Sequence, residues 1–265
     1  MTQPAQVVLI TDADHPAGKA LIRRFAEDGA HFLLNSPSDG KEAVAEIDMA
    51  KASGSKVIVK NVDLSVGTNA NELVLLAERE LGALSVLIHT NDRLVPLTVE
   101  AGSEASLREV MRTNAKSAFL CAQAAGKAMA AREAGCIIFV SSIHAEKPTG
   151  TSFAYSASKG AVKMLAKEAA LELGRHGIRV NTIEAGPMEG DDERFRSSLT
   201  TLYRSYDTKV PSARLGTADD IANVARFLAS SEARFVNGAD IRLDGGFLLH
   251  YMDHKMKRPR SGDSP

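Results

Sequence analysis

The sequence holds little that would tie the chain to an oxidising compartment, a membrane or a nucleic acid. Only two cysteines, Cys121 and Cys136, occur in 265 residues. That is too few for a disulfide framework, and they lack metal-ligand spacing. Both are expected as buried thiols in a reducing cytoplasm. Neither sign of charge predominates: 32 basic residues face 33 acidic ones, for a formal net charge of −1. Such a balance supplies no global field to recruit nucleic acid or an acidic membrane, so the expected partner is a small molecule. No uninterrupted apolar run approaches membrane-spanning length, and the first one, Val7–Ile10, is not preceded by a signal-like segment. Secretion and membrane insertion are therefore not expected.

What is present is strongly periodic. With 44% hydrophobic residues, the chain can bury the core of one large domain, expected over residues 1–250 and followed by a basic, flexible tail over 251–265. Short aliphatic runs (Val7–Ile10, His31–Leu34, Lys56–Val59, Val86–His89, Ile137–Val140, Val180–Glu184, Ala239–Leu243) alternate with helical stretches. The latter are Gly18–Asp28, Ala70–Leu81, Ser106–Ala131, Ala154–Gly174 and Ala218–Ser230. Alternation of this kind predicts an α/β fold, a doubly wound parallel sheet with helices on both faces. Ligands of such sheets bind beyond the carboxyl ends of the strands. The polar segment 188–214, which carries Phe195, Tyr203 and Tyr206, breaks the rhythm and reads as a flap on the substrate side.

Tyr155 and Lys159 lie four apart at the start of a helical apolar stripe, so they share one face. An ammonium ion near a phenol stabilises the phenolate and lowers a pKa that is otherwise about 10, making Tyr a usable acid or base. Ser142 ends the run from Ile137 and stands thirteen residues before Tyr155, which puts a hydroxyl at the mouth of the expected crevice.

In wording and spacing, Ile137-Ile138-Phe139-Val140-Ser141-Ser142 and Tyr155-Ser156-Ala157-Ser158-Lys159 resemble the active-site strand and helix of the short-chain dehydrogenase/reductase family. Asn114, in Arg112-Thr113-Asn114, matches the Asn of that family's tetrad, and Arg179-Val180-Asn181 and Asp244-Gly245-Gly246 fall at familiar intervals. The resemblance covers about residues 6–248. It implies a Rossmann-like fold and hydride transfer between a nicotinamide, NAD or NADP, and a carbonyl or alcohol. Tyr155 would exchange the proton, Lys159 would lower its pKa and hold the ribose, Ser142 would bond the substrate oxygen, and Asn114 would anchor a water relay. The alternative is a family member without redox turnover, acting as a partner of a paralogue or as a non-redox acid/base catalyst.

The same resemblance would place the cofactor against Thr11, Asp14, Ala17, Ser36, Asp63, Leu64, His89, Gly186 and Met188, besides Tyr155 and Lys159. The family's Thr-Gly-x-x-x-Gly-x-Gly turn aligns with Thr11-Asp12-Ala13-Asp14-His15-Pro16-Ala17-Gly18, where only the last glycine remains. Asp12 and Asp14 are expected to bring negative charge toward the pyrophosphate, and Pro16 to remove an N–H; alternatively, because Pro suits a first turn and Asp an N-cap, the loop is a well-formed cap for the helix Gly18–Asp28. His89-Thr90-Asn91-Asp92 stands for Asn-Asn-Ala-Gly, and Ala185-Gly186-Pro187 for the turn beside the nicotinamide. Asn35-Ser36-Pro37-Ser38 at the end of the second strand offers neither the Asp that favours NAD nor the Arg that favours NADP. Ser36 and Ser38 could still bond a phosphate. The Ala-rich helices 106–131 and 154–174 imply a homo-oligomer, a tetramer or a dimer.

Overall fold

The computed structural model describes residues 5–96, 98–150, 152–196 and 206–249. Tyr203 and the tail 251–265, which bear on the flap and on the basic C-terminus, lie outside the described residues.

Among the described residues seven strands form one wholly parallel sheet: β1 (Val7–Ile10), β2 (His31–Asn35), β3 (Val57–Lys60), β4 (Leu84–His89), β5 (Gly135–Ser142), β6 (Ile178–Ala185) and β7 (Asp240–Leu243). Their order is β3-β2-β1-β4-β5-β6-β7, so the chain reverses direction across the sheet between β1 and β4. The loops leaving those two strands diverge and open a crevice at the carboxyl edge. Two hydrogen bonds pin its floor: Thr90 N–H donates to Thr11 Oγ1 (2.9 Å) and Asp12 N–H to Thr90 Oγ1 (2.9 Å).

Strand alternation sends side chains to two separate cores. Val8, Ile10, Phe32, Leu34, Ile88 and Ile138 face one layer, formed by α1 (Pro16–Ala26), α2 (Val44–Ala52) and α8 (Ala218–Ala229). Val7, Leu9, Leu33, Leu87, Ile137 and Phe139 face the other, formed by α3 (Gly67–Glu80), α5 (Ser117–Ala130) and α6 (Phe153–Gly174). α8 begins with a capping box in which Thr217 and Asp220 satisfy each other's backbone N–H groups.

Three elements depart from the sequence-based expectation. α2 had no visible signal, because only Ile47 and Ala50 of its nine residues are buried and no stripe forms. The single helix expected over 106–131 is α4 (Glu104–Met111), a π-turn (Arg112–Lys116) and α5; a residue inserted into the helical repeat leaves no mark in apolar periodicity. The flap contains α7 (Asp191–Arg194). Its base is sewn shut by Gly216 N–H donating to Pro187 O (3.1 Å) and Glu189 N–H to Gly216 O (2.9 Å).

Candidate active site

Ser142 is the last residue of β5, and its hydroxyl accepts from His144 N–H at 3.2 Å, capping the 3-10 turn that follows. The same hydroxyl acts on Tyr155, in the first turn of α6, to lower the pKa of its phenol. One turn further along, Lys159 brings its Nζ to 5.5 Å from the Tyr155 ring centre. The structure thus gathers Ser142, Tyr155 and Lys159 as the spacing predicts. Asn114 joins them from the π-turn, with both ends of its amide engaged within the protein. Its Oδ1 accepts from Arg93 N–H (2.7 Å), and its Nδ2 donates to Arg93 O (2.9 Å) and Ser158 Oγ (2.9 Å). The side chain is a strut between the β4 loop and α6.

Tyr155 is only 1% exposed. Phe195 stands edge-on at 5.6 Å between ring centres, His144 at 6.3 Å, and the Arg194 guanidinium lies over the ring at 5.5 Å. Burial pushes the phenol well above the usual tyrosine range, and the charge of Asp92 adds to that, while Arg194 and the Ser142 hydrogen bond act the other way. Burial is the main reason that the expected lowering by Lys159 does not prevail, and Asp92 is the second.

Asp92 occupies the place of the family's glycine at the end of the β4 turn and reaches Lys159 Nζ with Oδ1 at 3.1 Å. Its Oδ2 takes Arg194 at 2.7 Å, with His15 Nε2 at 3.6 Å. Burial alone would raise this carboxyl; Lys159 and Arg194 overcome that and hold it well below the usual range. Burial lowers Lys159, with Asp92 opposing. The carboxylate therefore opposes the positive field that would make Tyr155 acidic. Sequence reasoning missed the roles of Asp92, Arg194 and His15. The one available signal was a charged residue standing where glycine belongs.

The phosphate turn is folded on itself. Asp14 and His15 donate their N–H groups to Asp12 Oδ1 (3.1 and 3.2 Å), and Ala17 N–H donates to His15 Nδ1 (3.2 Å). Asp12 does not project toward a ligand as expected: it caps its own loop, and burial raises its carboxyl pKa. Gly18 is retained for a steric reason, since a Cβ there would lie 2.1 Å from Asp12 O. Asp14 turns the other way, to the end of β2, where its carboxylate accepts from Ser36 Oγ (2.7 Å) and Ser38 N–H (2.8 Å).

The remaining expected cofactor residues divide. Thr11 is buried in the crevice floor, while Gly186 and Met188 line the loop after β6, opposite the turn. A cleft of about 490 Å³ runs between them, bordered by Pro16, Ala17, Asp92, Met188, Glu189 and Arg194. Asp63 sits at the third strand's edge, 3.4 Å from Arg112, accepting from Ser65 N–H and Oγ. Leu64 is buried in the core beneath α3. The His89 side chain also leaves the crevice: alternation along β4 turns it under α5, where Nε2 meets Ser117 Oγ at 2.8 Å and burial drops its pKa to about 3.

A nicotinamide dinucleotide fits these residues at its ribose ends better than at its phosphates. Asn91 Oδ1 is buried and accepts no hydrogen bond among the described residues, and Asp92 Oδ1, 3.1 Å from the Lys159 ammonium, meets no further donor there. A ribose diol carries the two donors such acceptors lack. The pyrophosphate, in contrast, would meet a turn whose N–H groups at Asp14, His15 and Ala17 are already engaged.

A doubly wound parallel sheet with Ser, Tyr and Lys converging on the crevice at its switch point defines the general class of this molecule. More narrowly, a family model described as Enoyl-(Acyl carrier protein) reductase matches residues 14–248, and the chain belongs to the short-chain dehydrogenase/reductase family. It is 32% identical over 246 residues to the 2,5-dichloro-2,5-cyclohexadiene-1,4-diol dehydrogenase LinX of Sphingobium indicum, covering 92% of this chain and 96% of that one. Glucose 1-dehydrogenase of Gluconobacter oxydans is 29% identical, with 92% of each covered. Among solved structures, a putative short-chain dehydrogenase/reductase from Burkholderia xenovorans superposes with a TM-score of 0.85 at 27% identity, covering 94% of this chain and 98% of that one. Acetoin dehydrogenase from Enterobacter cloacae does so at 0.81 and 26%, covering 96% and 100%.

Proposed function

We propose that this chain is an oxidoreductase that interconverts an alcohol and a carbonyl with NAD(P), Tyr155 serving as the acid/base. The observation that carries this reading is the convergence of Ser142, Tyr155 and Lys159 at the crevice, with Asn91 Oδ1 left without a donor among the described residues and Asp92 Oδ1 bound to Lys159. Its relatives named as dehydrogenases support it. The cofactor, when bound, supplies or accepts the hydride. Lys159, Asn91 and Asp92 would hold its nicotinamide-side ribose. Ser142 would orient the substrate oxygen, and Tyr155 would give or take the proton on that oxygen. Met188 and Gly186 would border the nicotinamide, and Thr11, Ala17, Asp14, Ser36 and Asp63 the rest of the molecule.

The Asp92 ion pairs favour a second reading, a family member without redox turnover, because they oppose ionisation of Tyr155 and occupy Lys159. A screen of ketones and alcohols with both nucleotides separates the two. Turnover that vanishes in Tyr155→Phe supports the first; no turnover with any pair and no nucleotide binding gives the second.

The proposed assembly is a homodimer or tetramer. Phe119, Met164 and Leu171 are exposed on α5 and α6, and these helices border an apolar groove of about 370 Å³ lined by Phe119, Ala122, Gly126, Leu165 and Leu173. No described helix is long and apolar enough to cross a membrane. A cytoplasmic location and a small-molecule partner, rather than a membrane or a nucleic acid, remain part of the proposal.

A further inference from the structure

We propose that Asp14 makes the groove selective for NAD(H) over NADP(H): the phosphate turn delivers its carboxylate to the end of β2, between Ser36 and Ser38. This rests on the oxidoreductase reading above and adds to it the identity of the nucleotide. Selection between the two cofactors turns on one group, the 2′ substituent of the adenosine ribose, which is a hydroxyl in one and a phosphate in the other. The β2 end itself holds only Asn35, Ser36, Pro37 and Ser38. Read alone, those serines could serve a phosphate.

The structure removes that option. Ser36 Oγ donates to Asp14 Oδ1 at 2.7 Å and accepts from Gly40 N–H at 2.7 Å; Ser38 N–H donates to Asp14 Oδ2 at 2.8 Å. Ser38 Oγ accepts from Glu42 N–H at 2.9 Å. Two donors a phosphate would use, Ser36 Oγ–H and Ser38 N–H, are spent on an anion, and the Ser38 hydroxyl lies 3.3 Å from Ser36 Oγ. Lys19, one turn into α1, lies toward Glu42 at 3.9 Å. Asn35 is committed below: it donates to Thr11 O (3.2 Å) and accepts from Val62 N–H (3.0 Å). A 2′-hydroxyl arriving here is a donor that meets a half-buried carboxylate with lone pairs to spare. A 2′-phosphate is a dianion that meets the same carboxylate and must also lose water. The carboxylate that the sequence places in the phosphate turn thus does the work ordinarily given to a residue at the strand end.

Isothermal titration of the full chain with NADH and NADPH, at one fixed ionic strength, tests this. The wild type should bind NADH at least about tenfold more tightly, a difference of roughly 1.4 kcal/mol. Asp14→Asn keeps the shape and one acceptor but not the charge; it should bring the two affinities within about threefold, chiefly by a gain for NADPH. A melting curve of the variant without ligand reports whether the turn stays folded, and the wild-type ratio decides the matter if it does not. Equal binding of both nucleotides by the wild type, a preference for NADPH, or an unchanged ratio in a folded Asp14→Asn would overturn the assignment to Asp14 and leave the oxidoreductase reading standing. Binding of neither nucleotide would remove that reading, and this inference with it.

Discussion

The two sides of the crevice are built by opposite means. On the β5–α6 side, Ser142, Tyr155 and Lys159 stand in family register, and their neighbours are aromatic and apolar. On the β1–β4 side, the positions where small residues would let a ligand approach carry Asp12, His15, Pro16 and Asp92, and these bond to one another or reach across to Lys159 and Arg194. One side keeps its chemical groups poised, and the other has replaced open backbone donors with internal acceptors. The sides are coupled through one carboxylate: Asp92 is where the altered side brings a negative charge against the retained one.

The sharpest way to break this comparison is to remove the retained side's only ionisable hydroxyl. Tyr155→Phe should cut kcat by about 10²–10⁴-fold, the usual worth of a positioned acid or base, with the melting temperature nearly unchanged because the ring still packs on Phe195. Steady-state kinetics beside a melting curve checks both halves, and near-normal turnover would exclude Tyr155 as the acid/base.

Removing the coupling comes next. Asp92 raises the pKa of Tyr155, so Asp92→Asn must lower it. Oxidation of an alcohol needs the phenolate, and the rate rises with pH through that pKa. The alkaline limb of the pH–kcat profile should therefore move to lower pH, raising activity near neutrality by about tenfold for each unit of displacement. A shift toward higher pH would show that Asp92 acts on Tyr155 by some route other than charge.

Two smaller effects test the altered side alone. Gly18→Ala must push the first turn of α1 away from Asp12 O and should cost about 1–3 kcal/mol, a fall of roughly 2–10 °C in melting temperature for a chain of this size. Unchanged stability would show that the turn tolerates a side chain. The double variant Asp12→Gly, Pro16→Gly releases two N–H groups from Asp12 and restores a third, and should tighten NADH binding by about fivefold, near 1 kcal/mol. No gain by titration would mean that the self-capped turn is already an adapted cradle.

Much of this was legible beforehand. Tyr155 and Lys159 share a face because four residues make about one helical turn, and the strand runs mark the sheet because strands buried on both faces read as short continuous apolar runs. Boundaries moved by a few residues, α2 left no stripe, and the π-turn at Asn114 was invisible. Of the two directions the sequence left open to Asp12, toward a ligand or into its own loop, the structure takes the second: a carboxylate beside two free N–H groups of its own loop satisfies them before any ligand does.

What the amino-acid sequence determined alone is local and periodic: the α/β alternation, the family register of Ser142, Tyr155 and Lys159, and the loss of glycines from the phosphate turn. The tertiary structure decided which groups meet. Asp92 reaches Lys159 across 67 positions and Arg194 across 102, and Asp14 reaches Ser38 across 24. Charge partners of this kind are chosen by distance through space, which strand order and loop direction set, and no periodicity along the chain carries that information.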